Sequence, residues 1–222
     1  MGFIENLETD LFNNREPEIV IAWENYMKNN FPFLGVITDK RRMILKTLLE
    51  TNKQEIKNNF RTIAWELFNK KEREFHYCGQ EIIIKEIKKN YVKEDILLIE
   101  KFITTNSWWD SVDFLAKYLL GNYLLQFPEQ KYDVIELFSN SENMWLNRSA
   151  IIFQLSYKQN TDFDLLKSEC EKHKHSKEFF IQKAIGWALR DYSKYNPLAV
   201  KEYVNNTTLK PLSAREALRK IK

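Results

Sequence analysis

The stretch SWWDSVDFLAKYLLGNYLLQF, residues 107–127, decides the fold, because its apolar residues recur with the period of a helix and not of a strand. Val112, Leu115, Ala116, Leu119 and Tyr123 are related by steps of three and four, so they fall on one side of an α-helix, and that side is predicted to be buried. Ser107 is a natural N-cap, and Asp110 three places on is an acidic first-turn residue, so the helix is predicted to start there. At about 100° per residue, Trp109 and Asp113 stack at the edge of the stripe, between core and solvent. That edge has two readings at this point: a core aromatic beside a surface charge, or an indole and a carboxylate sharing the rim of a site.

The same helical logic extends to the whole chain of 222 residues, which is 44% hydrophobic and holds only five Gly and five Pro. So few turn residues exclude a many-stranded β-fold, and an all-α protein with a sizeable core is expected. Candidate helices cover residues 3–13, 17–30, 38–50, 53–69, 72–88, 93–104, 107–127, 129–139, 143–157, 161–173, 176–194, 197–205 and 212–221. In the second of these, Ile21, Trp23, Tyr26 and Met27 form the apolar side. The β-branched run EIIIKEIKKN, residues 81–90, stays helical because its Glu and Lys are spaced for pairing four apart. Short amphipathic helices with short connections make helical hairpins, which pack most simply as a stacked array in the size range of HEAT and armadillo repeats. The expected architecture is a single domain over residues 1–222, a curved α-solenoid of antiparallel HEAT-like repeats. Its concave face is somewhere for a polyanion to lie.

Charge is uneven along the chain. Residues 1–150 hold 20 Lys+Arg against 23 Asp+Glu, while residues 151–222 hold 14 against 8, so the net charge of +3 conceals a basic C-terminal third. That third either binds a polyanion or carries the basic last turns common in helices. Cys78 and Cys170 stand alone, without disulfide or metal-ligand spacing, which fits a reducing cytoplasmic location. Neither a leader sequence nor a membrane-spanning run is recognised, so no membrane partner is expected. His173 and His175 are two apart and point to different helix faces, so no metal site is expected. The P-loop, the dinucleotide fingerprint and the nucleophile elbow are absent, leaving nucleotide hydrolysis and serine esterase chemistry without support.

Two later stretches combine aromatic and basic character. NMWLNRSA, residues 143–150, puts Arg148 near Trp145, either as a surface ion-pair partner or as a phosphate contact. AIGWALRDYSKYN, residues 184–196, places Trp187, Arg190 and Asp191 close on one face, with Lys194 beyond, as on the rim of a groove.

Taken in order, YMKNNFPFLGV, FITTNSWWDSVDFLA, WLNRSAI, KAIGWALRDYSKYNP and PLSAREALRK resemble the AlkD-like DNA alkylation repair family, alkylpurine DNA glycosylases built from HEAT-like repeats. The resemblance implies that Trp109 and Trp187 line the site against the damaged nucleotide, that Asp113 is the catalytic carboxylate and that Arg148 holds the DNA backbone. Arg190, Lys194 and Ser107 are then expected on the DNA-binding surface. It further implies base excision repair of cationic N3- and N7-alkylated purines in double-stranded DNA without base flipping, by a monofunctional enzyme that is a monomer and uses no cofactor and no metal.

The chemistry suits these side chains. A purine alkylated at N3 or N7 is already cationic and a good leaving group, so it needs no general acid. An ionised carboxylate aimed at the deoxyribose would stabilise the positive charge that develops there. Indole faces favour a cationic nucleotide over a neutral one by about 0.5–2 kcal/mol each. Two other readings stand beside this one: a HEAT-repeat paralogue that binds duplex or branched DNA without excising bases, and a protein-binding scaffold.

Overall fold

The computed structural model describes residues 2–221 and is all-α, with no strand among them. Among the described residues fourteen α-helical segments follow one another, and their contacts group the chain into two compact units, Met1–Asn90 and Tyr91–Lys222. No helix among the described residues is long and apolar enough to cross a membrane.

The first unit contains α1 (Phe3–Asn13), α2 (Pro17–Tyr26), α3 (Thr38–Thr51), α4 (Lys53–Phe68) and α5 (Arg73–Ile87). Helix α1 buries Phe3, Leu7 and Leu11, a stripe repeating every four residues. The loop FPFLGV between α2 and α3 is fixed from α5, where the buried Glu74 carboxylate accepts the backbone N–H groups of Leu34, Gly35 and Val36 at 3.0, 2.8 and 3.1 Å. Gly35 is required there, since its φ of 86° is left-handed. Arg73 is fully buried and stacks its guanidinium 3.8 Å from the Phe31 ring centroid.

Helix α2 departs from the sequence pattern. It stops at Tyr26 and not at residue 30, because Lys28 and Asn29 take left-handed backbone. Ile21 and Tyr26, read as its apolar side, are exposed, and the contact with the core comes from Trp23, edge-on to Phe33.

The second unit runs through α6 (Asp95–Thr104), α7 (Trp109–Leu115), a π-helical turn (Ala116–Leu120), α8 (Gly121–Gln126), α9 (Lys131–Ser139), α10 (Met144–Ile152), α11 (Phe163–His173), α12 (Phe179–Tyr192), α13 (Pro197–Asn206) and α14 (Pro211–Leu218). Helix α9 packs on α10, α10 on α12 and α12 on α14. The stripe Val112, Leu115, Ala116, Leu119 and Tyr123 is completely buried, as its spacing predicts. Both cysteines are buried as free thiols. Burial pushes the Cys78 thiol up to about 11, against the pull of nearby Arg41, and raises Cys170 too, with Glu169 and Glu171 adding to the rise.

Two local expectations need correction. Ser107 does not cap α7: the N-cap is Trp108, and the Ser107 hydroxyl donates back to the Ile103 carbonyl at 2.7 Å, closing the end of α6 instead. The helix expected over residues 143–157 ends at Ile152, because Ser156 and Lys158 adopt positive φ of 81° and 60°, which no α-helix accommodates.

The π-helical turn widens the helix just after Asp113, leaving carbonyls out of the regular ladder. Two tyrosines occupy them. The Tyr91 hydroxyl donates to the Leu119 carbonyl at 2.9 Å, and the Tyr157 hydroxyl to that of Gly121. Gly121 also lets the backbones meet, since a Cβ there would lie 2.5 Å from the Phe153 carbonyl oxygen. Gly121→Ala should therefore destabilise the protein by about 1–3 kcal/mol. Urea unfolding checks this, and a gain of about 1 kcal/mol, the ordinary helical result for Gly to Ala, would refute the close approach.

Candidate active site

Asp113 lies one turn into α7 and Arg148 one turn into α10, and the packing of the second unit brings them into a two-pronged ion pair. Arg148 Nε donates to Asp113 Oδ1 at 2.7 Å and Arg148 Nη2 to Oδ2 at 2.8 Å. The remaining guanidinium nitrogen, Nη1, donates to the Phe180 carbonyl in the first turn of α12. Three helices thus meet at one guanidinium. The Arg148 side chain is 5% exposed and that of Asp113 is 16% exposed, so the carboxylate is the member of the pair that faces outward. Burial raises the Asp113 carboxyl above its ordinary range. Arg148 opposes that rise, and Asp110 adds to it.

A layer of rings holds the three helix starts together. Trp108, just before α7, lies 5.8 Å from Trp145 of α10 and 5.3 Å from Phe180, while Trp145 and Phe180 are 5.1 Å apart. Arg148 sits beside this layer, its guanidinium carbon 5.9 Å from the Phe180 centroid. Trp108 Nε1 is buried without a partner, an unmet donor next to the ion pair.

The tryptophans singled out in the sequence occupy the flanks. Trp109 is half-buried at the start of α7, one turn before Asp113. Trp187 is half-buried and packs against the core of the unit. It follows Phe180 by seven residues, which places it two turns further along the same face of α12.

The basic residues of α12 are engaged within the protein. Arg190 pairs with Glu216 of α14, which Lys183 also meets at 3.1 Å, so this cluster ties the last helices together. Lys194 pairs with Asp191, whose other oxygen accepts the Ser156 N–H at 3.2 Å. Arg148, whose sequence context allowed a phosphate contact, has all three guanidinium nitrogens bonded inside the protein. Reaching a phosphate would require releasing one of them.

Phe180 and Trp108 are the members of the site that the sequence did not announce. Phe180 acts through a backbone carbonyl, which any residue supplies, so no residue type marks it. His173 bonds Ser139, 2.8 Å from its hydroxyl, and burial lowers its affinity for protons. Among the described residues no group of three His, Cys, Asp or Glu is arranged to hold a metal ion.

A family model described as DNA alkylation repair enzyme matches residues 7–221. The solved structure of a predicted DNA alkylation repair enzyme from Enterococcus faecalis superposes with a TM-score of 0.85 at 31% identity, over 94% of this chain and 97% of that one. AlkD2 from Streptococcus mutans shares the fold at 16% identity and a TM-score of 0.62, over 91% of this chain and 99% of its own. The protein smu.31 from Streptococcus mutans UA159 does so at 16% and 0.61, over 92% and 98%. No curated protein matches the chain in sequence.

The ion pair has a testable energetic signature. Removing Arg148 strands a buried carboxylate, so Arg148→Met should cost about 3–5 kcal/mol at neutral pH. Asp113 holds its proton more tightly folded than unfolded, so its ionisation destabilises the fold as pH rises through the folded pKa. The penalty in the variant should accordingly shrink as pH is lowered and the carboxyl is protonated. Unfolding titrations of both proteins at pH 7 and pH 5 measure this, and a pH-independent loss would contradict it.

Proposed function

Because the chain belongs to the DNA alkylation repair enzyme family, we propose that it is a monofunctional DNA glycosylase that releases cationic N3- and N7-alkylated purines from duplex DNA by hydrolysis. The observation that carries this reading is the Asp113 carboxylate, fixed in direction by the fork of Arg148 and the more exposed member of that pair.

The alkylated base leaves as a neutral purine, so the cost of the reaction is the positive charge that builds on the deoxyribose. A carboxylate already oriented by Arg148 meets that charge without reorganising, which is where preorganised electrostatics contributes most. The same carboxylate can accept a proton from the water that attacks C1′. Trp109 and Trp187 present indole faces to a nucleotide that carries positive charge before the bond breaks, so lesion recognition and catalysis draw on one property. The base remains stacked in the duplex while the sugar is attacked. Arg148 acts through Asp113, as a positioning residue.

Purified protein should release 7-methylguanine and 3-methyladenine from alkylated duplex DNA, and Asp113→Asn should lower the single-turnover rate by about 100-fold or more. The acid limb of the wild-type pH profile should fall above the ordinary carboxylate range, since the working form is ionised and burial raises its pKa. Duplex binding with no release at high enzyme excess would favour a DNA-binding paralogue. Full activity in Asp113→Asn would remove the carboxylate from the mechanism.

A further inference from the structure

The π-helical turn and the connection between α10 and α11 face each other across a cleft of about 360 Å³, lined among others by Lys117, Asn122, Ser156 and Lys158. Lys117 follows Asp113 by four residues, across the junction of α7 with the π-helical turn. No Asp or Glu lines it, and neither Lys117 nor Lys158 meets a carboxylate among the described residues. Lys117 Nζ rests 4.6 Å from the Tyr118 ring centroid.

Two uncommon backbone states meet at this cleft. One wall is the π-helical turn, and the other carries Ser156 and Lys158 with left-handed φ, each costing on the order of 1 kcal/mol or more. Both are pinned, by Tyr157 on the Gly121 carbonyl and by Asp191 on the Ser156 N–H. Asp191 is itself paired with Lys194, so its charge is met. Both lysines line this one volume.

The opposite sign is found elsewhere on the same unit. A cleft of about 510 Å³ between α9 and α11 is lined by Asp133, Glu136, Asp162, Asp164 and Glu169, with Lys172 its single cation. A polyanion is repelled there and drawn to the lysine cleft.

We infer that the cleft holding Lys117 and Lys158 seats a phosphodiester of the nucleic-acid strand that Asp113 addresses. This rests on the glycosylase reading for the identity of the strand, and on charge and shape for the seat. Lys117 and Lys158 serve as paired counter-charges, sequence-independent in action. They fix how far the strand slides relative to the carboxylate.

The test measures binding of undamaged duplex, which requires no chemistry, over 50–300 mM salt. Lys117→Ala with Lys158→Ala should weaken binding about tenfold at the low end and flatten the plot of log K against log salt by about one unit, the amount for one lost phosphate contact. A control pair, Lys85→Ala with Lys201→Ala, removes equal charge elsewhere and should leave the slope unchanged. Circular dichroism confirms the fold of both variants. An affinity and slope equal to those of the control overturn the seat, whatever the excision assay gives. A wild type that releases no base while the slope difference stands refutes the glycosylase reading and leaves the seat in place.

Discussion

The bidentate contact between Arg148 and Asp113 is the constraint from which the rest of the site follows. Two charges withdrawn from water are costly, and their attraction compensates only when the geometry is good and every donor is met. Here Nε, Nη1 and Nη2 are all met, by one carboxylate and one backbone carbonyl. Satisfying that one guanidinium requires the starts of α7, α10 and α12 to sit in fixed relation. The rings of Trp108, Trp145 and Phe180 supply the apolar contact that keeps them there. An apolar trio of similar volume would hold the helices as well, but it would present no charge outward.

What the sequence revealed depends on the range of the signal. The burial of Val112, Leu115, Ala116, Leu119 and Tyr123 was legible because helical periodicity is local and the core only has to accept it. Local signals also failed when a neighbour competed. Ser107 has the chemistry of a cap, but its hydroxyl finds the end of α6 instead. Ile21 and Tyr26 match an apolar stripe, yet α2 settles through Trp23 and leaves them in solvent. The pairing of Arg148 with Asp113 spans 35 residues and has no local signature. Family resemblance suggested that both matter, and only the packed helices connect them.

The irregular segments carry a different lesson. The π-helical turn was invisible in a stretch that reads as one uninterrupted helix, because the apolar residues keep steps of three and four straight through it. Its support is equally non-local, from tyrosines 28 and 36 residues away from the carbonyls they meet. Left-handed Ser156 and Lys158 were hidden for a similar reason, since neither is a residue that announces a turn of that hand. Strain of this kind is legible only where the fold around it is known.

The placement of the two thiols bears on how long such a protein lasts at its work. DNA acquires alkyl groups from electrophiles, and a cysteine thiolate is among the most reactive nucleophiles any protein offers them. Cys78 and Cys170 are enclosed, and burial keeps both protonated well past neutral pH. With reactivity carried by the thiolate, neither sulfur competes with a purine nitrogen for the reagent. This chain therefore offers an electrophile no exposed sulfhydryl to consume.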